Sequence, residues 1–238
     1  KNGNYSGTPI FEYNTDFIEL KSALCSTIKA PLNYDPNNNE TIDLFVRKFP
    51  SIKERQGSIW LIPGGPGESG ASLYPLIGQF SRLFPHLDIL VPDHRGTGLS
   101  SKVCPKEEAL GSPKGISLAN NEWGDCFNQM YSNQTYVQAF SITNAAKDLN
   151  LLINNFSGEG KRYLYGVSYG TQLVLRLLQL NSTKLDGVIL DSLVPFQDDN
   201  DNDLTDLRKQ YSNALITVGQ IKSPTIRIKL YQLLKELD

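Results

Sequence analysis

The stretch Tyr163-Leu164-Tyr165-Gly166-Val167-Ser168-Tyr169-Gly170-Thr171-Gln172 contains the strongest signal in the sequence. It predicts an apolar strand, one tight turn with Ser168 at its tip, and then a helix. Gly-x-Ser-x-Gly in that context is the pattern of a nucleophile elbow, which holds a serine hydroxyl above the edge of a sheet. The flanking glycines let neighbouring backbones come close because they have no Cβ. A turn rich in glycine and serine can match five residues by chance, so the interpretation depends on the rest of the chain.

The segments around this turn alternate between predicted strands and predicted helices. Short, continuous apolar runs predict strands buried on both faces of a sheet, and they lie at 58–62, 87–92 and 187–191. Helical periodicity begins at about residue 71 and returns over 141–156, and a hairpin of two strands, 22–34 and 41–49, precedes all of these elements. This alternation predicts an α/β fold with a doubly wound, mainly parallel sheet.

The composition divides the chain into three predicted parts. Residues 1–21 have little pattern and are predicted to be an N-terminal arm, and residues 22–197 are predicted to form the α/β core. Within the core, residues 101–135 are polar and are predicted to be irregular. Past an acidic run, helical periodicity predicts that residues 198–238 are the start of a helical cap over the carboxyl edge of the sheet.

A glycine-rich loop, Pro63-Gly64-Gly65-Pro66-Gly67-Glu68-Ser69-Gly70, directly follows the predicted strand at 58–62. Open α/β sheets bind ligands at the carboxyl ends of their strands, and glycines allow backbone N–H groups to face inward there. A phosphate cradle is the alternative interpretation, but the loop lacks the Lys-Ser/Thr of a P-loop and the spacing of a dinucleotide fingerprint. We therefore expect no cofactor.

The charge balance and the sequons favour a particular setting. The formal net charge of −2 gives no reason to expect a nucleic-acid or anionic-membrane partner, and no apolar run approaches the roughly 20 residues that span a bilayer. The sequence begins at Lys1 rather than Met, which we interpret as removal of an upstream segment. A secreted or lysosomal glycoprotein is therefore expected, with five Asn-x-Ser/Thr candidates for glycosylation: Asn4, Asn39, Asn133, Asn155 and Asn181.

Three cysteines are present, and none is spaced as a metal site or a redox pair. In an oxidising compartment we expect a disulfide between Cys104 and Cys126, which would close a polar, loop-rich excursion. Cys25 would then be free or paired with a segment outside the chain. The alternative is three reduced, buried thiols.

Four motifs together resemble the α/β-hydrolase family of proline iminopeptidases and tripeptidyl aminopeptidases, and the secreted tripeptidyl-aminopeptidase-like branch is the more similar one. The resemblance covers roughly residues 22–195. The motifs are Pro31-Leu32-Asn33-Tyr34, Pro63-Gly64-Gly65-Pro66-Gly67, Asp93-His94-Arg95-Gly96-Thr97-Gly98-Leu99-Ser100 and Gly166-Val167-Ser168-Tyr169-Gly170-Thr171.

The resemblance implies a catalytic role for Ser168, which would attack a scissile carbonyl carbon and form an acyl-enzyme. The oxyanion hole would use the backbone N–H of Tyr169 and that of Gly65, with Gly64 as the alternative second donor. Glu68 departs from the glycine common at that position in these peptidases. Its carboxylate could hold the ammonium terminus of a substrate or face solvent.

The general base is missing from the expected place. In this fold the triad follows the chain order Ser, Asp or Glu, His, but both histidines, His86 and His94, precede Ser168. Asp191, at the end of a predicted strand, could be offered as the acid but is interpreted as structural. We therefore expect an incomplete hydrolase: one chain of a cleaved enzyme, a fragment or a truncated gene product. Its triad Asp and His would come from a C-terminal chain or fragment, and the isolated chain should show little turnover.

Three functions fit these observations. The first is a serine exopeptidase that cleaves N-terminal residues or short pieces from peptides. The second is an esterase or lipase on the same fold, because acyl chemistry is common to both. The third is a non-catalytic hydrolase-like module used for binding, which the absent histidine favours and the intact elbow disfavours.

Overall fold

The computed structural model describes residues 23–109, 111–113, 121–180 and 183–194. The predicted N-terminal arm and helical cap lie outside these residues. Strands and helices alternate along the described chain: β1 Leu24–Pro31, β2 Thr41–Phe49, β3 Gly57–Ile62, a 3₁₀ helix Gly70–Leu76 continuing into α1 Ile77–Leu83, β4 Leu87–Asp93, α2 Trp123–Ser132, α3 Gln134–Gln138, α4 Ile142–Phe156, β5 Lys161–Val167, α5 Tyr169–Leu180 and β6 Gly187–Asp191.

The six described strands form one mixed sheet in the order β1-β2-β4-β3-β5-β6. The β1–β2 and β2–β4 pairs are antiparallel, and the remaining pairs are parallel. Strand β3 therefore lies between β4 and β5. Because these three strands are parallel, the loops that follow them meet at the same edge of the sheet.

Helices cover both faces of the sheet, and β3 divides its side chains between them. Trp60 and Ile62 belong to the apolar cluster that includes α4 and α5. Ile59 and Leu61 belong to the cluster on the other face, with α1 and the 3₁₀ helix. All of β3 is buried, as its continuous apolar run predicts, and the α/β fold class with a doubly wound, mainly parallel sheet is confirmed.

One sequence prediction about local structure is refined by the structure, and another is wrong. The helix predicted from about residue 71 begins as the 3₁₀ helix and becomes α-helical only at Ile77, because Pro75 cannot donate an N–H to an α-helical ladder. The excursion at 101–135, predicted to be irregular, contains α2 and the start of α3. Its periodicity is hard to detect because the aromatic residues of α2 point outward: Trp123, Phe127 and Tyr131 are all exposed.

The loop at 93–100 is fixed by buried polar side chains. The Asp93 carboxylate accepts hydrogen bonds from Ser69 Oγ (2.8 Å), Gly70 N–H (2.7 Å) and Leu99 N–H (2.8 Å). A Cβ on Gly98 would lie 2.0 Å from an Asp93 carboxylate oxygen, so the carboxylate occupies that space. Asp93 thus links its own loop to the start of the 3₁₀ helix.

Arg95 forms an ion pair with Asp148 on α4. The guanidinium donates from Nε (2.6 Å) and from an Nη (2.7 Å) to the two carboxylate oxygens, and both side chains are almost fully buried. Its remaining donors bond three backbone carbonyls, at Pro31, Leu32 and Ala139. One buried pair therefore joins the end of β1, the loop after β4 and the helix α4.

Tyr34 completes this group, since its hydroxyl donates to Asp148 over 2.7 Å. Burial and the neighbouring carboxylate raise the pKa of Tyr34, which stays protonated as the donor. Two of the motifs that carry the resemblance, Pro31-Leu32-Asn33-Tyr34 and the loop at 93–100, thus meet through Asp148.

Candidate active site

Ser168 lies at the tip of the turn between β5 and α5. Its φ of 53° is in the left-handed region, which a non-glycine residue adopts at a cost of roughly 1–2 kcal/mol. The Ser168 N–H donates to the carbonyl of Asp191 over 2.9 Å. Thr171 donates to the Ser168 carbonyl through both its N–H (2.9 Å) and its Oγ1 (2.6 Å). Hydrogen bonds on both sides therefore hold the serine in a strained turn, which is the geometry of a nucleophile elbow.

Gly166 and Gly170 flank the serine, and neither has room for a side chain. A Cβ on Gly170 would lie 2.5 Å from the carbonyl oxygens of Ile62 and Pro63. A Cβ on Gly166 would lie 2.9 Å from the carbonyl oxygen of Gly170. Helix α5 thus starts against the end of β3 at a separation that requires glycine, which brings the elbow beside the loop that follows β3.

The glycine-rich loop passes directly beside Ser168. A Cβ built on Gly64 would lie 3.3 Å from the Cβ of Ser168 and 3.4 Å from the carbonyl oxygen of Val167. Gly64 is buried, whereas Gly65 is exposed and has a φ of 106°. The loop backbone therefore adjoins the place above Ser168 where an oxyanion would form. The assignment of Gly65, or alternatively Gly64, as the second donor stays a prediction.

Tyr169 is the first residue of α5, so its N–H is one of the helix amides that have no intrahelical acceptor. The partial positive charge at a helix N-terminus adds to the attraction for an anion. The chain position of Tyr169, directly after Ser168, is the one from which a nucleophile elbow donates to an oxyanion. Donation of the Tyr169 N–H to an oxyanion therefore stays a prediction.

His94 lies against Tyr169, with ring centroids 6.0 Å apart and an interplanar angle of 41°. Burial lowers the pKa of His94 to about 4, although the nearby Asp93 opposes the shift. The imidazole is therefore neutral at pH 7. Its Nδ1 is buried and has no hydrogen-bond partner within the part of the chain that the structure describes. His94 thus forms part of the wall beside the elbow.

His86 lies at the opposite edge of the sheet, because it precedes β4 while Ser168 follows the parallel strand β5. Its Nδ1 is 2.9 Å from the carbonyl oxygen of Glu54. His86 and Ser168 are therefore separated by about the length of a strand of the sheet. The sequence from residue 169 to residue 238 contains no histidine.

The Asp191 carboxylate is engaged in local hydrogen bonds. It accepts from the Tyr165 hydroxyl over 2.7 Å and from the Ser192 hydroxyl over 3.2 Å. Burial, and then this bond to Asp191, raise the pKa of Tyr165. Asp191 thus connects β5 to the end of β6, in keeping with its interpretation as a structural residue.

Cys104 and Cys126 form a disulfide, with Cα atoms 5.5 Å apart, that ties the excursion after β4 to α2. Cys25 is buried in β1 and is not part of this bridge. Within the described residues, no cluster of three or more His, Cys, Asp or Glu side chains could hold a metal ion. None of the described helices has the length and apolar character needed to cross a membrane.

The sequons differ in their surroundings. Asn39 is exposed in the turn before β2, and Asn133 is exposed between α2 and α3. The Nδ2 of Asn155 donates to a helix carbonyl over 2.7 Å, and Ser157 of the same sequon is only 1% exposed. The surroundings of Asn155 are therefore unfavourable for a glycan in the folded chain. Two further sequons, Asn4 and Asn181, lie outside the described residues.

Comparison with known proteins gives a family match and several relatives. The profile of the alpha/beta hydrolase fold family matches residues 57–233. Serine protease Hip1 of Mycobacterium tuberculosis (strain ATCC 25618 / H37Rv) is 27% identical over 207 residues, which are 79% of this chain and 39% of that protein. Carboxylesterase B of the same strain is 32% identical over 94 residues, 38% of this chain and 18% of that protein.

Tripeptidyl aminopeptidase of Streptomyces lividans is 27% identical over 173 residues, 64% of this chain and 32% of that protein. The chain therefore spans well under half the length of each of these relatives. Their names cover both proteases and an esterase, so similarity alone leaves the reaction class within the hydrolases open. The family match covers well over half of the chain, and it agrees with the strand order and the serine elbow. The chain therefore belongs to the α/β-hydrolase fold family.

Proposed function

We propose that this chain carries the nucleophile and the oxyanion hole of a serine hydrolase, with Ser168 as the nucleophile. One observation carries the proposal. Ser168 is held at a φ of 53° on a strand–turn–helix, and a Cβ added at Gly64 would lie only 3.3 Å from the Cβ of Ser168. A turn with only a structural role would need neither the strained serine nor a glycine loop closed against it.

In the proposed reaction, the Ser168 Oγ attacks the carbonyl carbon of the substrate and its proton passes to a general base. The oxyanion accepts hydrogen bonds from the N–H of Tyr169 and from the N–H of Gly65, or alternatively Gly64. The leaving group takes the proton from the base and departs, and water then hydrolyses the acyl-enzyme on Ser168.

We propose that the triad Asp and His come from outside residues 1–238, from further sequence or from a separate C-terminal chain. The two histidines present precede Ser168, and His86 is at the far edge of the sheet. His94 is neutral and half-buried, with its ring against that of Tyr169. The Asp191 carboxylate is already occupied by Tyr165. The chain thus supplies one part of the catalytic apparatus.

The proposed substrate is a peptide from which N-terminal residues or short pieces are released. The similarity to serine protease Hip1 and to tripeptidyl aminopeptidase supports this choice, because each of these matches covers at least 64% of the chain. The similarity to carboxylesterase B supports the second candidate, an esterase, but covers 38% of the chain. The third candidate, a non-catalytic binding module, gives no reason for the strain at Ser168. We further propose a secreted or lysosomal setting, supported by the disulfide between Cys104 and Cys126.

A fluorophosphonate probe tests the nucleophile. The native protein should be labelled and the Ser168→Ala variant should not, and aminoacyl amides should be hydrolysed by the first alone. The isolated 238-residue chain should be labelled weakly, because it lacks a histidine after Ser168. Strong labelling of that isolated chain would contradict the outside source of the base. Labelling of Ser168→Ala at the native rate would contradict the role of the serine itself.

A further inference from the structure

Glu68 is the charged residue of the glycine-rich loop, and its carboxylate turns towards the elbow. A Cβ built on Gly64 would lie 3.3 Å from Glu68 Oε2 and also 3.3 Å from Ser168 Cβ. The carboxylate oxygen and the serine Cβ are therefore separated by no more than twice that distance. The Glu68 side chain is exposed, so a ligand beside Ser168 can reach it.

Asp93 and Asp191, which end strands β4 and β6 at this edge of the sheet, are already engaged. Asp93 accepts hydrogen bonds from Ser69, Gly70 and Leu99, and Asp191 accepts from Tyr165. Among the described residues, no hydrogen bond or ion pair is found for the Glu68 carboxylate. The exposed carboxylate of Glu68 is therefore open to a cationic ligand.

The negative charge of Glu68 disfavours the attack by Ser168 on the substrate carbonyl. The reaction places a second negative charge on the oxyanion, in the same region above Ser168. At a separation of about 6 Å in a solvent-exposed site, this repulsion corresponds to roughly a threefold loss of rate. A cation bound to Glu68 removes the repulsion and adds an attraction of its own.

We propose that Glu68 binds the free α-ammonium group of the residue whose carbonyl carbon is attacked by Ser168. The inference rests on the proposed function and deepens it, since it identifies the substrate class as peptides with an unblocked N-terminus. Glu68 is then a specificity-determining residue. It favours substrates that bring their own positive charge and disfavours those that do not.

The position of Glu68 also sets the length of the acyl group. The α-nitrogen of an amino acid lies about 2.5 Å from its carbonyl carbon, and each additional residue moves the N-terminus by up to about 3.5 Å. In a near-attack complex the carbonyl carbon lies about 3 Å from the serine oxygen. An ammonium two bonds from that carbon can meet a carboxylate this close to Ser168, whereas the N-terminus of an extended tripeptide lies about 7 Å farther away. Glu68 therefore favours release of single residues over release of tripeptides.

The test compares Glu68→Gln with the native protein on three coumarin amides: a single residue with a free amine, the same residue N-acetylated, and a tripeptide with a free amine. We expect kcat/KM to fall about tenfold on the first because a charge-assisted hydrogen bond is lost. It should rise about threefold on the acetylated substrate because the repulsion is lost, and it should change less than twofold on the tripeptide. Glu54→Gln is the matched control, because it removes the same charge from an exposed residue at the opposite edge of the sheet.

The possible outcomes separate this inference from the proposed function. Equal changes on the free and the acetylated substrate would overturn the role of Glu68, and so would a loss on the tripeptide as large as that on the single residue. Either result would leave the Ser168 hydrolase in place. If the native protein hydrolysed none of the amides, or if Ser168→Ala hydrolysed them equally well, the proposed function and the role of Glu68 would both be wrong.

Discussion

The loops at 63–70 and 93–100 follow neighbouring parallel strands, yet they are held in different ways. In the loop after β4, four polar side chains are buried and hydrogen-bonded: Asp93, Arg95, Thr97 and Ser100. In the loop after β3, residues 65–68 are exposed, and at the buried Gly64 an added Cβ would lie 3.3 Å from the Cβ of Ser168.

This difference separates two tasks that one edge of the sheet must perform. Buried polar side chains with all their partners in place rigidify a structure, so the loop at 93–100 supports the edge. A loop of backbone groups and an exposed carboxylate can face a substrate, so the loop at 63–70 forms the wall of the site. Substitutions in the first loop should affect stability, and substitutions in the second should affect reactivity.

The largest expected effect is that of Arg95→Met on stability. The substitution leaves the buried Asp148 carboxylate without its cation and three carbonyls without a donor. Removing one partner of such a pair costs about 3–5 kcal/mol in the free energy of unfolding. Denaturant unfolding should show this loss, while Ser168 in the remaining folded protein reacts with fluorophosphonate at the native rate. Arg82→Met, an exposed arginine of α1, should change stability by less than about 0.5 kcal/mol.

The loss in Arg95→Met should depend on pH. Burial raises the pKa of Asp148, and Arg95 opposes that rise, so the folded-state pKa moves further above its unfolded value when the arginine is removed. When a carboxyl has a raised pKa in the folded state, the free energy of unfolding of the protein falls as the pH rises from the unfolded-state pKa to the folded-state pKa. The difference from the native protein should therefore be smaller at pH 4.5 than at pH 7.5. An equal difference at both values would show that Asp148 does not carry the effect.

Much of this edge is predictable from sequence because its signals are local. The continuous apolar run at 58–62 predicts the fully buried β3, and the five residues around Ser168 predict the elbow. In each case the pattern lies within a few consecutive residues. Backbone preferences and alternation in burial are enough to predict such elements.

The partner of Arg95 was not predictable in the same way. Asp148 is 53 residues away in the chain, and the sequence indicates no reason to pair the two. The sequence does indicate that Asp148 needs a partner, because this residue lies within the apolar stripe of α4, among Ala145, Leu149 and Leu152. A carboxylate on a buried helix face requires a partner. The orientation of Glu68 also depends on the tertiary path of the loop, which local pattern does not determine.

A smaller effect, on reactivity, is expected for Gly64→Ala. The new Cβ would lie 3.3 Å from both Ser168 Cβ and Glu68 Oε2, which requires shifts of a few tenths of an ångström in the site. Labelling of Ser168 in the native protein should slow about tenfold, because small misplacements of reacting groups are costly. The free energy of unfolding should change by less than about 1 kcal/mol.

Gly67→Ala is the matched substitution in the same loop, and it should behave in the opposite way. Nothing lies within 4 Å of its Cβ position, but its φ is 89°, so an alanine is strained by roughly 1–2 kcal/mol without touching the site. Stability should fall while the labelling rate stays unchanged. If both variants lost reactivity equally, the space between Gly64 and Ser168 would not determine reactivity, and the contrast between the two loops would be wrong.

The smallest expected effect concerns strain at the elbow itself. At a φ of 53° an alanine retains the cost of the left-handed conformation, whereas a glycine does not. The free energy of unfolding of Ser168→Gly should therefore exceed that of Ser168→Ala by about 1 kcal/mol, after allowance for the greater freedom of glycine in the unfolded chain. Neither variant should be labelled. Ser192, at a φ of 57° after β6, is the matched position. Ser192→Gly and Ser192→Ala should differ in stability by a similar amount, and Ser168 should be labelled in both. Equal stabilities at residue 168 together with a difference at 192 would mean that the elbow relaxes in solution, and the strained turn on which the proposed role of Ser168 rests would then be wrong.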